Sequence, residues 1–286
     1  MTLIVGFPTP GAIVLGADGE EGTSLHKAAV RKIEPIGGPG YRCAVAGSGD
    51  SNFIDLAVQE AKDALKDLSP PTLTDIRITL EYVVTEIYAE RIDKLPLEQS
   101  SDAQFDLLCA IWAEKDKRAQ LIRVGRGYSL VRSRPDVSGT GTYLASYLID
   151  TLAHDVVSRR QAERLAAYVI AKAKAHVQGV GGVTQIVVVT DEGKSELVPK
   201  AVIDEDEFAG QHVMDAVRLL FNWMDLLNVN GNIKELDNVA DDVVKLIKLG
   251  FHNRHQQLAE HIKKVAAQPI PELPKGEPPD LLPSQE

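Results

Sequence analysis

MTLIVGF (residues 1–7), PTPG (8–11) and AIVLGAD (12–18) form the stretch that decides the fold of this chain. Two apolar runs rich in β-branched residues, separated by a turn of Pro and Gly, are typical of a β-hairpin. A first strand this apolar would expose much surface if its end frayed, so we expect it to be held inside a sheet. The hairpin is therefore predicted to be the centre of the fold.

Thr2 directly precedes the first predicted strand. Removal of Met1, which a small residue in second place permits, would give Thr2 a free amine beside its own hydroxyl. An α-amino group titrates at about 7.7–8.0, so it can serve as the base for that hydroxyl near neutral pH. These two residues alone would also fit an ordinary protein start, but the residues that follow favour the chemical interpretation.

Three further positions could complete such a site. Asp18 ends the second strand of the hairpin, and Lys32 lies in a strand-like run at 30–33. An Asp that fixes a Lys close to the Thr hydroxyl would hold positive charge where an alkoxide must form. Gly47 lies at the end of another strand-like run, where a backbone N–H could approach a substrate carbonyl as an oxyanion donor.

Five short runs in this order resemble the β-type proteasome subunits and the related bacterial ATP-dependent threonine peptidase. They are TLIVG (2–6), VLGAD (14–18), VRKI (30–33), AGSGD (46–50) and GTGTY (139–143). The resemblance covers roughly the first two hundred residues. It places the chain among the N-terminal nucleophile hydrolases as an expectation.

Carried over residue by residue, the resemblance implies Thr2 as nucleophile, Asp18 and Lys32 as its charge partners, Gly47 as oxyanion donor and Thr140 as a supporting hydroxyl. It also implies that substrate lies against Val45 and Gly22. One departure concerns the residues before Gly181 and Gly182, where β-type subunits usually carry Asp and Ser. This chain has Val177 and Val180 there, which predicts slow hydrolysis or a site completed by other polar groups such as Thr140.

The function that follows is an N-terminal-threonine peptide hydrolase, which acts through an acyl ester on Thr2 in a cytoplasmic, oligomeric ring. We expect a peptide or protein substrate, a homo-oligomer and an ATPase partner, with no cofactor, no metal, no nucleic acid and no membrane. Two alternatives remain open. One is an amidase or acyl-transfer enzyme on a small amide, and the other is a non-catalytic scaffold subunit of the same fold.

Composition agrees with these expectations. A formal net charge of −10 argues against non-specific binding to nucleic acid. No apolar run reaches the roughly 20 residues that a membrane helix needs. Cys43 and Cys109 each lie within an apolar run and are predicted to be buried thiols in a reducing compartment.

Beyond Gly47 the periodicity of apolar residues predicts the remaining elements. Two helices follow, the first with Asp50 and Ser51 as candidates for its N-cap, then three strands form a meander, and two more helices precede a last strand. The meander strands are expected at 105–113, 119–125 and 128–132, and the last strand at 183–190. The predicted fold class is α+β, and the resemblance implies the four-layer αββα sandwich of N-terminal nucleophile hydrolases with a C-terminal helical extension.

Three segments are predicted. Residues 1–203 form the hydrolase domain, 204–268 a helical extension and 269–286 a disordered, Pro-rich tail. The acidic run at 204–207 is interpreted as the start of a helix, where acids interact favourably with the dipole, rather than as a cation site. The helices of the extension are expected to pack either on a neighbouring subunit or on their own.

Overall fold

The computed structural model describes residues 2–22, 27–68, 70–153 and 158–212, together with residues 215, 241, 244 and 245. The chain divides into two compact units, Met1–Gln211 and His212–Glu286. The predicted boundary at residue 203 therefore stays a prediction, and most of the predicted extension and the predicted tail lie outside the described residues.

The first sheet contains five antiparallel strands, and the predicted hairpin is at its centre. Across the sheet the strands are β10 (Asp136–Gly139), β1 (Leu3–Thr9), β2 (Ala12–Ala17), β11 (Gln185–Thr190) and β12 (Ser195–Leu197). The hairpin is confirmed, and Gly11 in its turn has a φ of +81°, which a glycine adopts at little cost. The four-residue strand β10 was not predicted from the sequence.

The second sheet is an antiparallel meander of five strands. In spatial order they are β5 (Ile33–Gly38), β6 (Tyr41–Gly49), β7 (Phe105–Ala113), β8 (Arg118–Gly125) and β9 (Tyr128–Arg132). The three predicted strands after residue 105 are confirmed as β7, β8 and β9. A separate two-stranded antiparallel sheet of β3 (Glu20–Gly22) and β4 (Lys27–Ala29) was not predicted.

Five α-helices and one short 3₁₀ helix accompany these strands in the described residues between 51 and 176. They are α1 (Ser51–Lys66), α2 (Leu73–Glu90), the 3₁₀ helix Ile92–Lys94, α3 (Leu97–Asp102), α4 (Thr142–Leu152) and α5 (Arg159–His176). Asp50 caps α1 through its side chain, as predicted, and Ser158 caps α5 by accepting the N–H of Gln161. None of the helices in this part is long and apolar enough to cross a membrane.

Two apolar cores hold the sheets and helices together. The core between the sheets contains inward-facing residues of both, such as Ile4 and Leu15 from the first and Ala46 and Leu108 from the second. The other core lies between the second sheet and helices α1 and α2. Helices α4 and α5 contact the first sheet.

Cys43 and Cys109 are free and fully buried in the core beneath α1 and α2, which confirms the prediction of buried thiols. Burial raises the pKa of the Cys43 thiol to about 12.

Residues 200–212 are helical, so this helix begins earlier than the acidic run that was predicted to start it. Asp206 is consequently not a first-turn acid but a buried residue that pairs with Arg160 of α5 at 2.8 Å. Burial raises the pKa of Asp206 to about 6, although the guanidinium groups of Arg160 and Arg164 act in the opposite direction. Glu207 pairs with Lys174, also of α5, at 3.1 Å.

Candidate active site

Three of the predicted site residues are in direct contact. The ammonium of Lys32 donates a hydrogen bond to Thr2 Oγ1 at 3.0 Å and another to Asp18 Oδ1 at 3.0 Å. Asp18 is fully buried, and the Lys32 side chain is 7% exposed. A cation this close to a hydroxyl oxygen, in a site largely shielded from water, stabilises negative charge on that oxygen.

Backbone N–H groups hold the Asp18 carboxylate in place. Its Oδ1 accepts the N–H of Leu3 at 2.9 Å in addition to the Lys32 ammonium. Its Oδ2 accepts the N–H of Gly181 at 3.1 Å and that of Glu20 at 3.4 Å. A buried ion pair is stable when its remaining lone pairs are satisfied in this way, so Asp18 fixes the position of the Lys32 ammonium.

The backbone of Thr2 is held from the other side by the segment after β10. Thr140 donates its N–H to the carbonyl oxygen of Thr2 at 2.8 Å. Gly139 has a φ of +101°, and a Cβ built there would lie 1.9 Å from that same oxygen. Glycine is required at position 139 because any side chain would displace Thr2.

Thr140 therefore contacts the site through its backbone, whereas the sequence predicted a contact through its hydroxyl. The residue is exposed. Ser138, two positions earlier, has a buried hydroxyl that forms a hydrogen bond with the hydroxyl of Ser48 at 2.6 Å and so joins the two sheets. The role of Thr140 as a supporting hydroxyl stays a prediction.

Gly47 lies inside β6, close to the start of β5, which follows Lys32. Ile33 of β5, the residue after Lys32, pairs with Ala46, the residue before Gly47, so Gly47 lies next to the first pair of this ladder. A Cβ at Gly47 would lie 2.4 Å from the side chain of Ile54, so glycine also lets α1 pack on the strand. The oxyanion role of its N–H stays a prediction.

The structure places the two predicted substrate-binding residues in different elements. Val45 is 1% exposed and belongs to the core beneath α1 and α2. Gly22 ends β3 and pairs with Lys27 in the small hairpin that follows Asp18. Their contacts with substrate stay predictions.

Lys32 was expected on a strand, and that expectation is wrong. Strand β5 begins one residue later, at Ile33, and residues 30–32 connect β4 to β5. The N–H of Lys32 bonds the side chain of Gln185 rather than a strand neighbour. Leaving the strand frees the Lys32 side chain to turn towards Asp18 and Thr2.

Sequence reasoning missed two contributors to the site, Gly181 and Gln185. Gly181 was not among the predicted site residues, yet its N–H binds Asp18. Val177 and Val180, which replace the polar residues of the resemblance, end α5 and lead into this turn, and Val180 is buried. The polar contacts that the structure offers Asp18 from this segment thus come from the backbone.

Comparison with known proteins gives a likeness of fold. No family model and no curated protein matches the chain. A mutant of Anbu from Hyphomicrobium sp. strain MC1 is similar with a TM-score of 0.64 and 15% identity, over 78% of this chain and 97% of that one. Anbu, named as an ancestral beta-subunit, from Yersinia bercovieri is similar with a TM-score of 0.63 and 12% identity, over 75% and 96%. A further Anbu structure from the Hyphomicrobium strain has a TM-score of 0.64 and 13% identity, over 77% and 97%.

These findings correct the recognition made from sequence. The motifs indicated the β-type proteasome subunits or the bacterial ATP-dependent threonine peptidase, and that assignment is wrong: the structural neighbours are Anbu proteins, at 12–15% identity. Short motifs in the right order do not distinguish between protein families that share one fold. What the likeness shows is the fold.

Proposed function

We propose that this chain is an amide hydrolase, by preference a peptide hydrolase, whose nucleophile is the hydroxyl of Thr2. One observation carries the proposal: the Lys32 ammonium lies 3.0 Å from Thr2 Oγ1 while it is paired with the buried carboxylate of Asp18. A hydroxyl beside a fixed cation is stabilised as an alkoxide.

The reaction requires Thr2 to be the N-terminal residue, after removal of whatever precedes it. The Thr2 amine then takes the hydroxyl proton, directly or through a water. The alkoxide oxygen attacks the carbonyl carbon, and the N–H of Gly47 stabilises the oxyanion that forms. The C–N bond breaks, the leaving amine takes the proton, and water hydrolyses the ester on Thr2 to return the hydroxyl.

We also propose the finer features of the fold and the assembly. Helices pack outside each of two sheets that share a core, which supports a four-layer αββα sandwich of the N-terminal nucleophile type.

A similar protein is named as a beta-subunit, which supports a homo-oligomer. Tyr143 and Tyr147, 92% and 64% exposed on α4, offer apolar surface for such contacts. Cytoplasmic location, an ATPase partner and a helical extension over 204–268 belong to the same proposal.

The test is intact mass spectrometry with a threonine-directed acylating probe, combined with N-terminal sequencing. We expect a protein that begins at Thr2 and gains one probe adduct on that residue, and a Thr2→Ala variant that gains none. A folded protein that begins at Thr2 and forms no adduct would overturn the proposal and favour the scaffold subunit. Adduct formation with hydrolysis of small amides but not of peptides would identify the amidase.

A further inference from the structure

We propose that Gln185 is the positioning residue that sets where the Lys32 ammonium lies. The catalytic consequence rests on the proposed function, whereas the effect on Lys32 itself does not. Gln185 begins β11 and is 153 positions from Lys32 in the sequence.

The side-chain amide of Gln185 binds the segment before β5 at two points. Its Oε1 accepts the backbone N–H of Lys32 at 3.0 Å. Its Nε2 donates to the carbonyl oxygen of Val30 at 2.6 Å. One amide thus offers this segment the donor and the acceptor that a neighbouring strand would otherwise provide.

The segment needs such a partner because residues 30–32 are not part of a strand. The N–H of Val30 bonds the carbonyl oxygen of Gly19 at 3.0 Å. The carbonyl of Val30 and the N–H of Lys32 are the groups that Gln185 satisfies. Without the amide, this backbone would be held only by the Val30 N–H, two residues before the lysine, and by β5, which begins at Ile33 directly after it.

The strand that carries Gln185 is paired with the strand that ends next to Asp18, whose carboxylate pairs with Lys32. In the first sheet Gln185 of β11 lies opposite Ala17 of β2, and Ala17 directly precedes Asp18. The backbone of Lys32 is therefore fixed to one strand, and its ammonium to the end of the adjacent strand. Because both of these anchors belong to the first sheet, that sheet contributes to the distance from Lys32 Nζ to Thr2.

Gly19 leaves room for the side-chain amide of Gln185. A Cβ at Gly19 would lie 3.2 Å from Gln185 Nε2 and 2.3 Å from the carbonyl oxygen of Val183. A larger residue at position 19 would push the amide away from Val30. Glycine at this position and glutamine at 185 are therefore parts of one arrangement.

The chemistry of the amide matters as well as its size. A methionine at 185 has similar length and no hydrogen-bonding groups to offer the segment. A glutamate keeps an acceptor for Lys32 N–H, loses the donor to Val30 and introduces a second carboxylate near the ammonium. Both changes should let the ammonium leave Thr2 while the sheet stays folded.

The test measures two rates in wild type, Gln185→Met and Gln185→Glu. One is acylation of Thr2 by the threonine-directed probe. The other is labelling of Lys32 by a small amine-reactive compound, with the labelled residue located by peptide mass. A displacement of about 1 Å at a reacting group commonly costs on the order of 100-fold in rate, so we expect Thr2 acylation to fall about 10- to 100-fold. Lys32 should be labelled faster, since its ammonium is less tightly held.

A double-mutant cycle separates positioning from a general structural role. In a Lys32→Ala background, Gln185→Met should change Thr2 acylation by less than about twofold, because the group it positions is gone. Gln120→Leu on β8 is the matched control, and it should leave both rates unchanged. Thermal unfolding shows that each variant is folded.

Two results would overturn the proposal: an equal loss of acylation with and without Lys32, or unchanged labelling of Lys32 in a folded Gln185→Met variant. Wild-type protein that forms no Thr2 adduct would instead overturn the proposed function. In that case the Lys32 labelling rates still decide the role of Gln185.

Discussion

Gly139 and Thr2 lie so close that a Cβ on Gly139 would be 1.9 Å from the Thr2 carbonyl oxygen. The same oxygen accepts the N–H of Thr140. The position of the candidate nucleophile therefore depends on a residue that has no side chain and lies more than a hundred positions away in the sequence.

Gly139→Ala should destabilise the protein and displace Thr2. The positive φ alone costs about 1–3 kcal/mol for a residue with a Cβ, and the backbone clash adds to it. Denaturant unfolding measures the first effect and probe acylation the second. Gly127→Ala is the control, because Gly127 also has a positive φ but nothing within 4 Å of its Cβ position. Equal behaviour of the two variants would show that Gly139 does not hold Thr2.

Thr2→Ala should abolish probe acylation and leave the fold intact, because it removes only the hydroxyl and a methyl group. Thr2→Ser keeps the hydroxyl and should still form the adduct. Thr9→Ala is the matched control: its hydroxyl bonds Ala12 in the turn of the same hairpin and has no part in the proposed chemistry. Adduct formation by a folded Thr2→Ala variant would assign the nucleophile elsewhere.

Lys32→Ala should lower the rate of amide hydrolysis about 10²–10³-fold, the usual effect of removing one preorganised group that stabilises charge. Steady-state kinetics should show the loss in kcat rather than in KM, because the ammonium acts on the alkoxide and not on bound substrate. Lys62→Ala, which removes a partly exposed lysine 3.9 Å from Glu34, is the control. A rate within a few-fold of wild type would remove Lys32 from the mechanism.

Asp18→Asn should cost about 3–5 kcal/mol in the free energy of unfolding, since it leaves the ammonium of Lys32 without its buried carboxylate. Denaturant unfolding at neutral pH is the measurement. Asp63→Asn breaks an exposed pair with Lys66 and should leave stability unchanged. A small effect of Asp18→Asn would mean that the pair is not buried as described.

Asp206→Asn should change how stability depends on pH. The folded-state pKa of about 6 lies above the ordinary 3.8, so the folded protein binds this proton more tightly than the unfolded chain does. The resulting stabilisation is complete below about pH 3.8 and is lost as the pH rises through about 6.

The expected size of this effect is up to about 3 kcal/mol between pH 4 and pH 7, from roughly two pKa units. Unfolding at the two pH values should show a smaller difference for Asp206→Asn than for wild type. Asp204→Asn, on an exposed position of the same helix, is the control. Parallel pH dependence of wild type and Asp206→Asn would contradict the prediction.

The sequence predicted the elements whose patterns are local. The hairpin of β1 and β2, the meander of β7 to β9 and the cap at Asp50 all follow from neighbouring residues. Thr2, Asp18 and Lys32 were also identified, and the structure brings them into contact.

What the sequence could not predict depends on distant partners. Strand β10 is four residues long, and its pairing with β1 is what makes it a strand. Lys32 was expected on a strand because apolar residues flank it, but the amide that holds its backbone is Gln185, on another sheet. Asp206 was interpreted from its position in an acidic run, and only the packing of its helix on α5 buries it.

The carboxylate of Asp18 accepts the N–H of Gly181, 163 positions further along the chain. During synthesis at about 5–20 residues per second, that partner is added roughly 10 to 30 seconds after Asp18. Until then Asp18, and with it the ammonium beside Thr2, lacks one of its fixed contacts. Assembly of the candidate site therefore coincides with completion of the first sheet, so a growing chain on the ribosome still lacks the finished arrangement of Thr2, Asp18 and Lys32.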